Sequence, residues 1–277
     1  MKYKILILDL DGTLVNSQKK ITDETKAALI EYQEKGGTVI LASGRPVYGI
    51  IPLADELKLH KYGGYIIAFN GGTIIECSSM KSIWEKWMPG KSITFLYKFA
   101  MEHEIGIVTY EDENIITETP ENEYVLEEQK INKMTIKKVD SFCDYVKFPV
   151  TKCLMVGDGD ILENIETKLK EEVGQMLSIC RSAPYFLEIM PLNITKDGAL
   201  SWLSKYLKVD RTCMAACGDG YNDQSMLEYA GLGVAMGNAQ DCVKEIAQIV
   251  APDNDHEGVA WVVYKLLTIN EQVRDFA

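Results

Sequence analysis

The sequence predicts an α/β chain: a doubly wound core with a mostly parallel sheet, interrupted by an inserted α/β module. Three observations carry this. Continuous apolar runs of strand length alternate with capped, amphipathic helical stretches, the pattern of a parallel sheet covered by helices. The texture changes after about Ser82, where aromatics and amphipathic segments take over, and the first style returns from about residue 192. Finally, the apolar runs end in turns carrying Asp, Gly, Ser or Asn, at the sheet edge where open α/β sheets present their ligands.

Taken in order, Ile5–Leu8 is apolar without alternation, as a strand buried on both faces must be. Thr22, followed by Asp23 and Glu24, opens a helix that Gly36 and Gly37 stop, and Thr38–Ala42 is the next strand. A helix follows Pro46, residues 65–69 form a strand, and Asn70-Gly71-Gly72 turns the chain into the strand-like segment 73–75. In the inserted module the expected elements are an amphipathic stretch at 93–103, a hairpin about 111–114 and an acidic helix near 121–129. A strand at 152–156, a helix at 161–171 and strands at 175–180 and 186–189 follow. The core resumes with a helix from Thr195 to Leu207, a strand at 213–217, the loop Gly218-Asp219-Gly220 and a helix at 222–230. The parse is therefore 1–82 and 192–277 for the core and 83–191 for the insertion, and no fixed-period repeat is present.

Composition narrows the function classes. With 277 residues the chain has room for two domains, and its 47% hydrophobic and 25% charged content is that of a folded protein. A net charge of -12, with no basic stripe, argues against a nucleic-acid partner. No window reaches the length of a membrane span and the N-terminus lacks a signal-peptide pattern, so no membrane association is expected. Cys77, Cys143, Cys153, Cys180, Cys213, Cys217 and Cys242 are scattered singly, which fits thiols in a reducing compartment and makes the cytoplasm the expected location. Cys213 and Cys217 lack the second pair that a zinc site needs.

Four short segments carry candidate chemistry. Asp9-Leu10-Asp11-Gly12-Thr13 sets two acids at i and i+2 after the first strand, expected to point the same way. Their like charges crowd unless a cation neutralises both. Ser43-Gly44-Arg45 brings a hydroxyl and glycine amides to the same edge, suited to phosphate oxygens. Gly218-Asp219-Gly220-Tyr221-Asn222-Asp223 places oxygen ligands between a strand and a helix, as a Mg²⁺ site requires. Lys196 stands at the start of the resuming helix. Each has a plain alternative: an Asp-Gly turn, a Ser/Gly turn, a helix capped by Asn222 or Asp223, and a solvated lysine.

Together and in this order, the segments resemble the four motifs of the haloacid-dehalogenase superfamily. Asn70-Gly71-Gly72 and Phe186-Leu187-Glu188-Ile189 further resemble its Cof-type subgroup, which has a large α/β (type IIB) cap inserted into a Rossmann-like core. The resemblance implies a Mg²⁺-dependent phosphatase acting on a small phosphorylated substrate. Asp9 would be the nucleophile and Asp11 the acid and base. Asp9, Asp11 (through its carbonyl), Asp219 and Asp223 would hold the metal. Leu10, Ser43, Gly44, Lys196 and Asn222 would hold the phosphoryl oxygens. The acid at Asp11 separates the family's phosphatases and phosphomutases from its ATPases. A phosphomutase and a non-catalytic phosphometabolite sensor remain the alternatives. Asp197 departs from the glycine usual after the lysine; little effect on the chemistry is expected, although an extra carboxylate beside Lys196 could weaken its hold on phosphate. In the insertion Trp84, Trp87, Phe95, Tyr97, Phe99 and His103 read as packing residues. Substrate identity and oligomeric state are not legible.

Overall fold

The computed structural model describes residues 1–274. The chain divides into two compact units, Met1–Ile83 with Thr195–Ala277, and Trp84–Ile194. The return to the first unit comes at Thr195 rather than residue 192, because the chain re-enters it where Thr195 caps a new helix.

The strands, in chain order, are β1 (Ile5–Leu8), β2 (Thr38–Ala42), β3 (Tyr65–Ala68), β4 (Thr73–Glu76), β5 (Lys81–Glu85), β6 (Gly106–Glu111), β7 (Asn114–Thr117), β8 (Thr135–Lys138), β9 (Cys153–Val156), β10 (Leu177–Ala183), β11 (Phe186–Pro191), β12 (Met214–Gly218), β13 (Leu232–Ala235) and β14 (Ile249–Val250). Among the described residues one sheet has eight strands in the order β14-β13-β12-β1-β2-β3-β4-β5. It is parallel from β14 to β3, and β4 returns antiparallel along β3. β1 is central: its Ile5–Leu8 register runs against Met214–Cys217 on one side and Thr38–Leu41 on the other. Every β1 residue is buried, which explains its unbroken apolar run. Because the chain leaves β1 toward β2 and comes back through β12, the strand order reverses at β1, and its carboxyl end is the place such sheets use for ligands.

Local chemistry sets the flanking helices. Helix Asp23–Glu34 starts where the Thr22 hydroxyl accepts from the Thr25 amide, with Asp23 and Glu24 complementing the positive helix start. Helix Gly258–Arg274 lies against it. Helix Lys196–Leu207 has Thr195 as its cap, accepting from Gly198. No helix among the described residues is long and apolar enough to cross a membrane.

The second unit is built on a six-stranded sheet, order β10-β11-β9-β6-β7-β8, in which β7 and β8 are parallel and the other pairs antiparallel. Alternation divides its faces. Ile107, Met155, Leu187 and Ile189 pack with Leu96, Phe99, Leu162, Ile165 and Leu169 from helices Gly90–Glu102 and Gly159–Val173. Val108, Leu154, Val156 and Phe186 pack with Val125 from helix Glu123–Asn132. Phe99 is in the first of these two clusters, Phe95 and Tyr97 pack against that cluster, and His103 stacks on Phe99. Trp87 differs from expectation: it is 52% exposed, in the extended segment between β5 and helix Gly90–Glu102.

Candidate active site

Asp9 follows β1 directly and is 7% exposed. Its amide donates to the Cys217 carbonyl at 3.0 Å, which ties it to the end of β12. Its Oδ1 accepts from Lys196 Nζ at 2.6 Å, and the same ammonium donates to Asp223 Oδ1 at 2.6 Å. Asp223 Oδ2 in turn accepts from the amides of Asp219 and Gly220, at 3.0 and 2.9 Å. The sequence allowed Asn222 or Asp223 to cap the following helix. Asp223 instead folds back on its own loop, because a 3-10 turn at Tyr221–Asp223 precedes helix Gln224–Tyr229. Asp219 accepts from the Thr13 hydroxyl at 2.8 Å, and ligand atoms of Asp9, Asp219 and Asp223 all lie within 4.8 Å of one another.

Asp11 is elsewhere. β1 ends at Leu8 and Asp11 lies beyond it, bridged to Val15, so strand alternation no longer governs its direction. Its carboxylate pairs with Arg45 and Lys19. Ser43, 3% exposed, directly follows β2; its Oγ accepts from the Arg45 amide at 3.2 Å and its carbonyl from the Asn70 amide at 2.9 Å. The Asn70 side chain lies against Gly44 and accepts from Asn222 Nδ2 at 3.1 Å, joining the turn after β3 to the loop after β12. Leu10 is wholly buried, and its carbonyl takes the amides of Thr13 and Val15. The four sequence segments and the Asn70 turn thus meet at the carboxyl ends of β1, β2, β3 and β12.

A family profile for haloacid dehalogenase-like hydrolases matches residues 6–263. The chain belongs to this family. A haloacid dehalogenase-like hydrolase from Bacteroides thetaiotaomicron is 43% identical and superposes with a TM-score of 0.94, covering 96% of this chain and 100% of that one. The 5-amino-6-(5-phospho-D-ribitylamino)uracil phosphatase of Bacillus subtilis is 30% identical, over 93% of each chain. Another phosphatase of Bacillus subtilis is 27% identical, over 95% of this chain and 100% of its own. The chain is a phosphatase-type hydrolase of the haloacid dehalogenase-like family.

The electrostatics of this hydrolase are those of crowded acids. Burial, then the Asp223 charge, pushes the Asp9 carboxyl up to about 8; Lys196 opposes the shift and Asp219 adds to it. Burial lifts Asp219 to about 6, against the Thr13 hydrogen bond and with help from Asp223. Burial disfavours the charge on Lys196, yet Asp223 and Asp9 hold its ammonium well above the usual lysine range. Burial works to raise Asp11 too, but Arg45 and then Lys19 outweigh it and keep that carboxyl below its ordinary value.

Asp197 lies in the first turn of helix Lys196–Leu207, where a carboxylate suits the helix start. The Lys196 ammonium bonds to Asp9 and Asp223 and makes no hydrogen bond to Asp197. Sequence reasoning missed Lys19 and Asn238, and gave Arg45 no role. Asn238 Nδ2 donates to the Gly12 carbonyl at 2.8 Å, so it braces the loop that holds Asp11. No spacing rule flags Asn238 or Lys19. Arg45 had a usable signal, a cation directly after the Ser-Gly turn.

Proposed function

We propose that this hydrolase is a Mg²⁺-dependent phosphatase of small phosphomonoesters that works through an aspartyl phosphate on Asp9. One observation carries the reading: a nearly buried aspartate at a sheet's carboxyl edge, held at 2.6 Å by a buried lysine and grouped with Asp219 and Asp223. A carboxylate so placed is a positioned nucleophile, and the lysine beside it supplies charge for a phosphoryl group.

Asp9 attacks phosphorus while the ester P–O bond breaks, and Asp11 gives the departing alcohol its proton. Water then attacks the phosphorus of the aspartyl phosphate, Asp11 takes the proton from that water, and the Asp9 carboxylate is released. Lys196, Ser43, Asn222 and the amides of Leu10 and Gly44 hold the non-bridging oxygens, the main task in phosphoryl transfer.

The donor set fits Mg²⁺: hard carboxylate oxygens, an excess of negative charge over the Lys196 ammonium, and convergence within 4.8 Å. Asp9, Asp219 and the Asp11 carbonyl would hold the ion, with Asp223, whose oxygens are engaged by Lys196 and two amides, near it. Bound there, Mg²⁺ would offset the repulsion between the Asp9 carboxylate and an anionic phosphoryl group.

The substrates we propose are sugar phosphates or phosphorylated cofactors and their precursors, the last supported by the relative named for 5-amino-6-(5-phospho-D-ribitylamino)uracil. The free cysteines fit a cytoplasmic enzyme. The test is phosphate release from a panel of sugar phosphates, pyridoxal phosphate, flavin mononucleotide and p-nitrophenyl phosphate, with Mg²⁺ or EDTA, for wild type and Asp9→Asn. Release that needs Mg²⁺ and is lost in Asp9→Asn supports the reading; release unaffected by EDTA or by Asp9→Asn overturns it.

A further inference from the structure

The Asp11 carboxylate is gripped at both oxygens. Arg45 donates from Nε to Oδ2 at 2.8 Å and from Nη2 to Oδ1 at 2.7 Å, a two-point fork, and Lys19 Nζ donates to Oδ1 at 2.8 Å. Arg45 is itself fixed: its side chain is 13% exposed and its Nη1 donates to the Gly49 carbonyl at 3.3 Å.

Lys19 reaches Asp11 from a loop that is held in shape. Its backbone is left-handed, φ 57°, which is uncommon for a residue with a Cβ. Asn16 Oδ1 accepts from the amides of Gln18 and Lys20, both at 3.0 Å. Ser17 is strapped to Asp255 through its amide at 2.8 Å and its hydroxyl at 2.6 Å.

An ionised carboxylate offers about four acceptor positions. Arg45 and Lys19 take two on Oδ1 and one on Oδ2. We propose that Arg45, assisted by Lys19, is a positioning residue that sets the Asp11 carboxylate so that proton exchange with the leaving oxygen runs through the remaining position on Oδ2. This rests on the reading of Asp11 as the acid and base. In the step concerned Asp11 starts protonated at that Oδ2 position; as the Asp9–phosphorus bond forms, the electron pair of the ester P–O bond stays with the alcohol oxygen, which takes the Oδ2 proton. Asp11 is left as the carboxylate that the two cations hold. Lysine at position 45 would keep the charge without the fork, so the two are not interchangeable here.

The experiment compares an alkyl phosphate accepted by the wild type with p-nitrophenyl phosphate, whose nitrophenolate departs without a proton. The quantity read is kcat/KM, which covers only the steps up to alcohol departure, for the Mg²⁺-loaded wild type, Asp11→Asn, Arg45→Met, Lys19→Met and the Asp11→Asn/Arg45→Met double variant. Arg45→Met is expected to lose roughly 10²-fold on the alkyl ester, the usual worth of a positioned acid, and only about threefold on the aryl ester. The double variant should be no worse than Asp11→Asn alone. Lys19 is exposed, so Lys19→Met tests the same bias in a protein whose folding is not at risk, with a smaller loss in the same direction. Equal losses on both esters in Arg45→Met, or additive losses in the double variant, overturn the inference while Asp11→Asn keeps its ester bias. If Asp11→Asn itself slows both esters equally, the acid–base reading fails and the inference falls with it.

Discussion

A lysine wholly buried between two carboxylates is tolerable because each accepts from it at 2.6 Å. Removing the cation while leaving Asp9 and Asp223 in place strands charge in the interior. Lys196→Met should therefore cost about 3–5 kcal/mol in urea unfolding, and kcat should fall by roughly 10²–10³, as for loss of one donor to developing charge. The pH dependence follows from the acids beside it. Asp9, raised to about 8, and Asp219, raised to about 6, contribute stability that is fully present below their unfolded value of 3.8. That contribution is lost as pH rises through about 6 and then about 8. Asp11 has the opposite sign: its lowered carboxyl contributes stability above 3.8 that disappears as pH falls through its folded value. If Mg²⁺ binds the ionised acids, as proposed above, the rise in Tm on adding Mg²⁺ should grow between pH 5.5 and 8.5. A Tm gain independent of pH would contradict this assignment of the charge.

At the scale of elements, the turn after β3 is what locks the site together. Gly71 has φ 111°, and a Cβ there would lie 2.4 Å from the Thr195 carbonyl, one residue before Lys196. Gly36 also has positive φ, at 92°, but with nothing within 4 Å. Both Gly→Ala changes should destabilise through backbone strain by about 1–3 kcal/mol. Only Gly71→Ala should also lower kcat, since it alone pushes on the start of helix Lys196–Leu207; steady-state kinetics with thermal melts separate the two. This junction marks the limit of what the sequence discloses. The continuous apolar runs of β1 and β2 and the Thr22 and Thr195 caps were readable, because burial and capping leave local signatures. Strand β8, Thr135–Lys138, was not, since its exposed, lysine-containing sequence has neither period. In the site, Asp9, Ser43, Asp219 and Asp223 were legible as chemistry at strand ends. The Arg45–Asp11 pair was not, because a turn's direction depends on contacts thirty-four residues apart, which no local pattern encodes.

The whole molecule carries a net charge of -12, yet it must draw an anion to its site. Lys196, nearby amides and the Mg²⁺ proposed for the site would act only at short range, whereas the protein's acidic field repels an approaching phosphate dianion at distances comparable to the Debye length. Raising ionic strength from about 0.01 to 0.15 M shortens that length from about 30 to 8 Å, so kcat/KM for a dianionic ester should rise with inert salt; a steep fall would reveal an unrecognised attractive field. The two compact units share one covalent chain, but the chemistry proposed here belongs to the first, where all the site residues lie. That chemistry turns on Asp9, and the most direct measurement is to quench wild type and Asp9→Asn in acid during turnover of an isotopically labelled phosphomonoester and map the label by peptide mass spectrometry. The account predicts a phosphorylated peptide containing Asp9 in the wild type and none in the variant. Release of labelled phosphate with no label on the peptide bearing Asp9, or with label on another residue, would contradict it.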